Sequence, residues 1–355
     1  HQMLRDRLEL SETEMHVIWL LAAAALDERM KQLMAAQAGL SAPFGRDSLR
    51  RVIYGARPAE VSVRELGGTG RLRLLGLIER ADGLAIDAPE ARWTWVLSTR
   101  MLSWLHGDDS ADASLGPVFE LCEFVPPISS LAVKEAAITE VRKAMRASDA
   151  TVLVSGKPGL GRRALLVAAA KELGLDVASV RCSKLSRDPA ALTSQLRGIA
   201  RECRLLSRIP LLQDVDVLSD DGGFRVELVG RELVALIGGL VLASCGVQRP
   251  ALRWNRPVVC VGLEPPSAAQ LVALWRDTLG TISEDDARTI ANIYPLAPAL
   301  VHEAARAAKA HSIDGRVSLE EIAGGVRSVL DDRIGHLATR VTTKQSWTDI
   351  VLPED

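Results

Sequence analysis

The strongest constraint on what this 355-residue chain can fold into comes from residues 151–164, T-V-L-V-S-G-K-P-G-L-G-R-R-A. A β-branched apolar run over 152–154 precedes Gly156, Gly159 and Gly161, and a segment rich in Ala and Leu follows. This order of strand, glycine-rich loop and helix matches the P-loop template G-x-x-x-x-G-K-[ST]. Glycines let the backbone wrap close to a phosphate, and the helix N-terminus directs free N–H groups toward the anion.

The loop departs from the template at the two positions that supply charge and metal binding. Arg162 stands in the place of Lys, and Arg163 stands in the place of Ser or Thr. Arginine donates charge-assisted hydrogen bonds to phosphate, but its longer, planar head does not simply replace lysine. Loss of the hydroxyl removes a usual Mg²⁺ ligand, so we do not expect an efficient Mg²⁺ site. The candidate residues for binding ATP or ADP are Gly156, Lys157, Pro158, Gly159, Leu160, Gly161, Arg162 and Arg163.

Size and composition indicate a folded protein of two or three domains, at roughly 150 residues a domain. Hydrophobic residues make up 48% of the chain, enough for sizeable cores. The net charge of −2 argues against a general nucleic-acid-binding surface.

The cysteines and the apolar runs favour the cytoplasm. The longest apolar runs, 17–26 and 233–247, are shorter than the roughly 18 residues of a membrane span, and no secretion signal opens the chain. The cysteines are odd in number and never spaced C-x-x-C, which predicts buried thiols without a disulfide framework or a zinc site. We therefore expect a cytoplasmic protein with no membrane partner. The five cysteines are Cys122, Cys182, Cys203, Cys245 and Cys260.

The N-terminal third predicts helices followed by a small hairpin. Ser11 and Glu14 form a capping box that opens a long helix, which Gly39 and Pro43 end. Further along, the patterns predict helices over 47–54 and 66–79, a turn at 82–83, and strands over 84–87 and 92–97. This order resembles a winged-helix domain.

Winged helices often bind DNA, so the arginines of this region are candidates for contacts with DNA phosphates. Residues 1–115 carry fourteen Lys and Arg against sixteen Asp and Glu. DNA binding depends on neutralising phosphates, which a net-acidic module supports poorly, so a protein-docking or solvated surface is favoured. For Trp93, Trp95 and Trp104, core packing is favoured over base stacking. The arginines concerned are Arg64, Arg71, Arg73 and Arg80.

The middle of the chain predicts an α/β domain. An acidic, Ser/Gly-rich segment closed by two prolines reads as a linker, and a helix is predicted over 131–145. Strands and helices then alternate, which indicates a mostly parallel sheet. The predicted strands are 151–155, 177–182, 209–213, 240–244 and 258–263, with helices at 164–173, 190–206 and 226–237 between them.

Five strands that alternate with helices, with a P-loop directly after the first strand, resemble the core of an AAA+ ATPase. Predicted helices at 268–279, 284–293, 299–310 and 319–337 resemble the helical lid that follows such a core. The resemblance implies an α/β P-loop core with a five-stranded parallel sheet and a helical lid. The implied boundaries are a winged-helix-like domain over 1–107, a linker over 108–128, the core over 129–264, the lid over 265–340 and a lead-in to a second AAA+ domain over 341–355.

The Walker B motif of the family is an apolar strand ending in Asp-Glu, in which Asp orients Mg²⁺ and Glu activates water. Here residues 209–216 keep Asp214, the candidate Mg²⁺ residue, but Val215 stands in the glutamate position. Valine accepts no proton, so general-base help is absent unless Asp216 supplies it. In an extended strand Asp216 would share a face with Asp214, which keeps that rescue open.

Three further family positions match only in part. Ser244 is the candidate polar sensor at the end of the fourth strand. The lid segment 296–299 lacks the glycine and arginine of the usual sensor motif. An arginine finger could come from Arg249, Arg253 or Arg256, and the sequence does not choose among them.

The tail over 341–355 contains W-x-D-I-V-L-P at positions 347–353, which looks like the lead-in to a second AAA domain. Together with the winged-helix-like start and the degenerate first module, it resembles a bacterial tandem AAA+ family, some members of which are encoded beside contractile injection systems. The resemblance implies protein partners and a ring assembled by the full-length protein. The predicted function is a degenerate AAA+ ATPase module, weak or non-hydrolysing, that acts as the scaffold or regulatory half of a tandem ATPase. Two alternatives stay open: an active ATPase using Arg162 and Asp216, and a winged-helix DNA-binding regulator with a P-loop module.

Overall fold

A computed structural model describes residues 2–39, 43–55, 57–81, 93–124, 126–147, 149–219, 222–311 and 317–334. The chain divides into two compact units. The first unit consists of His1–Ile128, Glu135–Gly156 and Arg162–Gly262, and the second of Ser129–Lys134, Lys157–Gly161 and Leu263–Asp355. No helix within these described ranges is long and apolar enough to cross a membrane.

The N-terminal part of the first unit is mostly helical. The capping box is confirmed, because the Ser11 hydroxyl accepts from the Glu14 N–H while the Glu14 carboxylate accepts from the Ser11 N–H. The helices are α1 (Gln2–Leu8), α2 (Glu12–Leu26), α3 (Glu28–Ala38), α4 (Arg46–Leu49, continued by a π-helical turn over Arg50–Tyr54), α5 (Ala59–Leu66), α6 (Arg71–Leu74) and α7 (Thr99–Leu105). Strands β1 (Ile78–Arg80) and β2 (Trp95–Leu97) pair antiparallel.

Several predicted boundaries in this part are wrong. The long first helix is two helices, because Asp27 ends α2 and caps α3 through its own carboxylate. The helix predicted over 66–79 is interrupted after Leu66, and its last two residues belong to β1. The predicted turn at 82–83 and strand at 84–87 lie outside the described residues.

The predicted fold class, an α/β P-loop core accompanied by helices, is confirmed. The five predicted strands are β4 (Thr151–Ser155), β5 (Val177–Arg181), β6 (Ile209–Gln213), β7 (Val241–Cys245) and β8 (Val258–Gly262). They are mutually parallel and stand in the order β5-β6-β7-β4-β8. Helices α8 (Glu135–Met145), α9 (Arg162–Glu172), α10 (Pro189–Leu205), α11 (Phe224–Val229) and α12 (Ala235–Ile237) connect and flank them.

The sheet has six strands, one more than predicted. The additional strand, β3 (Phe119–Leu121), pairs antiparallel with β5 at the edge of the sheet. It lies inside the segment predicted as a linker, where acidic and small residues obscure a short apolar run. Leu115, Val118 and Phe119 are each at most 5% exposed, so apolar burial holds this segment against the sheet.

A buried ionic cluster on α10 joins the N-terminal elements to the α/β core within the first unit. The Glu202 carboxylate is 0% exposed and accepts from Arg100 of α7 (Nη2–Oε2 2.8 Å) and from Arg201 (Nε–Oε1 3.2 Å). Arg201 also pairs with Asp112, and Arg204 pairs with Glu9 at 3.2 Å. One apolar cluster runs continuously from α1 and α2 to the sheet. The N-terminal elements are thus anchored to the core by apolar contacts and by charge.

The second unit contains the predicted C-terminal helices. They are α13 (Ala268–Leu279), α14 (Glu284–Ile293), α15 (Pro298–His311) and α16 (Leu319–Ile334). They pack around Trp275, which is 0% exposed, together with Val301, Ala305 and Ile322. The last helix was predicted to run to residue 337, and residues after 334 lie outside the described part of the chain.

Adjacent glycines in α16 provide a matched pair for testing how α15 and α16 pack. A methyl group on Gly325 would lie 2.4 Å from the Ala304 carbonyl oxygen and 3.0 Å from the Ala308 nitrogen, both backbone atoms of α15. A methyl group on Gly324 would meet nothing within 4 Å. Gly325→Ala is expected to destabilise the protein by about 1–3 kcal/mol, because the two helices must separate. Thermal unfolding followed by circular dichroism measures this change.

Gly324→Ala is the control and is expected to stabilise the protein by up to about 1 kcal/mol, since alanine favours the helix. Equal effects of the two substitutions would contradict the close packing of α15 and α16.

Candidate functional site

The phosphate loop is anchored at its start by the neighbouring strand. The Gly156 N–H, directly after β4, lies 3.3 Å from the carbonyl oxygens of both Cys245 and Gly246, which follow one another at the end of β7. Gly159 and Gly161 adopt left-handed φ angles of 86° and 85°. Residues with side chains rarely take these angles, so the loop shape depends on both glycines.

The tip of the loop contacts the start of α15 within the second unit. The Ala299 N–H donates to the Gly159 carbonyl oxygen at 3.1 Å. A Cβ on Gly159 would lie 3.0 Å from the Ala297 Cβ and 3.7 Å from the Ala299 Cβ. The segment 296–299, predicted to belong to a lid, therefore contacts the loop through a backbone hydrogen bond and small side chains.

Arg162, in the template lysine position, binds groups of the protein itself. Its Nη2 lies 3.0 Å from Asp214 Oδ1, and its Nη1 donates to the Cys245 carbonyl oxygen. The Arg162 side chain is only 12% exposed, whereas that of Asp214 is 49% exposed. The guanidinium is thus directed to the ends of β6 and β7, and the charge of the template lysine is neutralised by a carboxylate.

Arg163, in the template hydroxyl position, contacts the residue that follows the edge strand β3. Its Nη2 lies 3.6 Å from the Cys122 sulfur, directly after β3. No hydroxyl is present at this position to ligate a metal ion.

The end of β6 differs from the predicted Walker B geometry. The strand ends at Gln213, Asp214 has a φ of 53°, and Val215–Ser219 form a 3₁₀ turn. The idea that Asp214 and Asp216 share one face of an extended strand is therefore wrong. The Asp216 carboxylate instead accepts from the Gly246 N–H at 3.1 Å, which ties the turn to the end of β7.

Ser244, the predicted sensor, is 3% exposed in β7. Its hydroxyl oxygen accepts from the Asp214 N–H at 3.1 Å. The contact fixes the backbone of the residue that pairs with Arg162. Ser244, Asp214 and Arg162 therefore form one connected group at the carboxyl ends of β6 and β7.

Cys245 is a buried thiol between the charged groups of this site. Burial, together with the negative charge of Asp216, raises its pKa to about 11. The thiol is therefore neutral at pH 7 and is a poor nucleophile, since the thiolate is the reactive form.

The three arginine-finger candidates have different environments. Arg256 donates to the carbonyl oxygens of Asp149 (2.8 Å) and Ala150 (3.3 Å), and burial lowers its pKa, so it is a structural clamp. Arg253 lines a cavity of about 440 Å³ beside Trp254. Arg249 Nε donates to the Ser155 hydroxyl oxygen at 3.0 Å, at the end of β4. This last contact could not be predicted from the sequence, since it joins residues that are 94 positions apart in the chain.

The residues present do not suit a magnesium ion. The candidate ligand Asp214 is paired with a guanidinium, and the neighbouring template hydroxyl is an arginine. A cation that binds the same carboxylate competes with the metal ion.

Three of the four N-terminal arginines on which DNA binding would depend, Arg71, Arg73 and Arg80, have partners within the chain. Arg71 pairs with Glu9 and donates to the Leu8 carbonyl oxygen at 3.2 Å. Arg73 lies over the rings of Trp93 and Trp95, 5.2 and 4.9 Å from their centroids. Such cation–π contacts stabilise the hairpin region itself.

Arg80 lies 5.5 Å from the centroid of the Trp93 ring. Trp95 is only 4% exposed, which agrees with the predicted role of this residue in core packing. The guanidinium groups of Arg73 and Arg80 are therefore stacked on tryptophans of the chain.

Comparison with known proteins finds similar solved structures only. No protein-family model matches the chain, and no curated protein matches it. The FIGL-1 AAA domain in complex with ADP aligns over 62% of this chain and 91% of its own, with 15% identity and a TM-score of 0.47. A second FIGL-1 AAA domain structure aligns over 64% and 95%, with 14% identity and a TM-score of 0.44. A structure concerning katanin self-assembly aligns over 62% and 93%, with 15% identity and a TM-score of 0.48.

Proposed function

We propose that this chain is an AAA+-type module that binds the phosphates of ADP or ATP without Mg²⁺ and hydrolyses ATP weakly or not at all. The observation that carries this proposal is the ion pair between Arg162 and Asp214. It joins the two residues that the P-loop and Walker B motifs would direct to phosphate and metal. Because the Arg162 guanidinium already neutralises the Asp214 carboxylate, this carboxylate attracts a divalent cation only weakly.

The phosphate chemistry is supported by the backbone of the loop. Two left-handed glycines precede α9, an 11-residue helix whose first turn carries no acidic side chain. Backbone N–H groups and the positive end of a helix bind phosphate without a metal ion. Residues 156–163 are the proposed nucleotide contacts, and the nucleotide would supply the anion that they bind.

The hydrolytic chemistry lacks support at the general-base position. Val215 is fully buried and carries no acid or base. Asp216 is held by the Gly246 N–H, so rescue by its carboxylate would require breaking that contact. Electrostatic stabilisation by the metal and activation of water are both central to phosphoryl transfer, and both are weakened here.

We further propose that the chain is the scaffold or regulatory half of a bacterial tandem ATPase that remodels or assembles a protein complex. The anchoring of the N-terminal elements to the core supports a scaffold role. A winged-helix-like recruiting domain that is held by these contacts would move together with the core and would keep a bound partner in a constant position relative to it. Ring assembly by the full-length protein and its protein partners belong to the same proposal.

Titration calorimetry with ADP tests the nucleotide part of the proposal. We expect ADP to bind with Kd values that agree within about twofold between excess Mg²⁺ and excess EDTA, because the proposed site uses no metal ion. A metal contact worth 1.4 kcal/mol would instead change the Kd tenfold. Binding that requires Mg²⁺, or no binding under either condition, would reject it.

An active ATPase is the second candidate, and one observation favours it. Because β6 ends at Gln213, Asp214 is the first residue after the strand and can be matched to the template glutamate, with Gln213 in the place of the metal-orienting aspartate. In that case Asp214 is the general base, and Asp214→Asn would abolish turnover while ADP binding persists. Retained turnover in Asp214→Asn would exclude this assignment.

A further inference from the structure

A second guanidinium, that of Arg249, lies at the root of the phosphate loop. Its Nε donates to the hydroxyl of Ser155, the last residue of β4, at 3.0 Å. Its Nη2 lies 3.2 Å from where a Cβ on Gly262, the last residue of β8, would stand. The guanidinium therefore spans the carboxyl ends of two adjacent parallel strands, the edge of an α/β sheet at which ligands bind.

Arg249 differs from Arg162 in its charge balance. Arg162 is largely buried and paired with Asp214, whereas Arg249 is exposed. Within the described part of the chain, the Ser155 hydroxyl is the only hydrogen-bond acceptor of Arg249, and no acidic side chain pairs with it. Its two terminal nitrogens keep their donors for a ligand, and its charge is not cancelled by a neighbouring carboxylate.

The hydroxyl contact restricts where this charge can lie. Ser155 is 4% exposed and is followed directly by Gly156, whose N–H is held by the end of β7. A hydrogen bond donated by Nε fixes the plane of a guanidinium and leaves the edge formed by its terminal nitrogens for bidentate contact with an anion. The fixed charge thus stands next to the residue at which the loop begins.

We propose that Arg249 supplies the phosphate-binding cation of this chain, in place of the template lysine whose position is taken by the self-paired Arg162. The ligand class is a nucleoside diphosphate or triphosphate, bound through its phosphates. This inference rests on the proposed nucleotide binding and adds to it the side chain that contacts the anion.

The test compares ADP and adenosine binding by the full chain in EDTA. Arg249→Gln keeps a hydrogen-bonding side chain but removes the charge. We expect it to weaken ADP binding about tenfold or more, the loss of one charge-assisted contact, and to leave adenosine binding unchanged. The Kd for ADP of the unaltered chain is expected to rise with salt more steeply than that of the variant.

Two further variants separate anion binding from a structural role. Arg249→Lys keeps the charge and is expected to recover part of the affinity for ADP. Arg146→Gln removes an exposed arginine just after α8, before β4 begins, and is expected to leave ADP affinity unchanged. Thermal unfolding of each variant checks that the fold is intact.

The outcomes are distinct. Absence of ADP binding by the unaltered chain would overturn the proposed nucleotide binding and this inference with it. Binding that Arg249→Gln leaves unchanged would overturn the inference alone. Equal losses for ADP and adenosine would also overturn it, because Arg249 would then shape the site without contacting phosphate.

Discussion

Replacing Arg162 by Lys and Arg163 by Thr together is expected to convert the loop into a magnesium-dependent nucleotide site. The double substitution restores the template G-x-x-x-x-G-K-[ST]. Lysine is shorter and carries its charge on one nitrogen, so it does not reproduce the contacts that the two terminal nitrogens of Arg162 make with the Cys245 carbonyl oxygen and Asp214. The carboxylate and the new hydroxyl then become available to a metal ion.

We expect the affinity of the double variant for ADP to rise by at least about tenfold in Mg²⁺, the amount that one charge-assisted contact contributes. The gain is expected to disappear in EDTA, because EDTA removes the metal ion. Calorimetry with ADP under both conditions measures it. Arg163→Thr alone serves as the comparison and should give a smaller gain, because Asp214 stays paired. A double variant that binds ADP no better in Mg²⁺ than the unaltered chain would show that the ion pair does not limit the site.

Glu202→Ala is expected to cause the largest loss of stability among single substitutions of charged residues. Its carboxylate is fully buried and is shared by Arg100 and Arg201, whose side chains are 8% and 9% exposed. Removal of one partner from a buried ionic cluster leaves the other charges without compensation and costs about 3–5 kcal/mol. Because Arg100 belongs to α7 and Glu202 to α10, the loss should also loosen the N-terminal elements from the core.

Urea unfolding followed by tryptophan fluorescence measures the change in the free energy of unfolding. Glu284→Ala is the matched control, since its carboxylate is 57% exposed and pairs with Arg276 and Arg288 on the surface. Exposed pairs contribute about 0–1 kcal/mol, so the control should be nearly neutral. Equal effects of the two substitutions would contradict the role assigned to the buried cluster.

The sheet could be predicted from the sequence because its strands are local apolar runs bounded by turn residues. All five parallel strands begin and end within one residue of their predicted positions. Their burial on both faces produces continuous β-branched segments such as 151–155, which are distinctive in a sequence. The sequence also predicted a glycine-rich loop after 151–155, but not which of its glycines adopt left-handed φ angles.

The contacts that decide the chemistry could not be predicted, because they join residues far apart in the chain. Arg162 pairs with Asp214, and Arg249 reaches Ser155, so each partnership depends on the order of strands in the sheet. The left-handed φ of Asp214 could not be predicted either, so the sequence left open an extended backbone in which Asp216 shares a face with Asp214. Short elements such as β3 were missed because three residues carry too little periodicity.

Phosphate release from ATP by this chain tests the proposed loss of hydrolysis most directly. A steady-state assay with the unaltered full chain, saturating ATP and Mg²⁺, compares its rate with that of Asp214→Asn. We predict the same background rate for both, because the Asp214 carboxylate is already paired with the Arg162 guanidinium. Turnover that clearly exceeds background and disappears in Asp214→Asn would contradict the account.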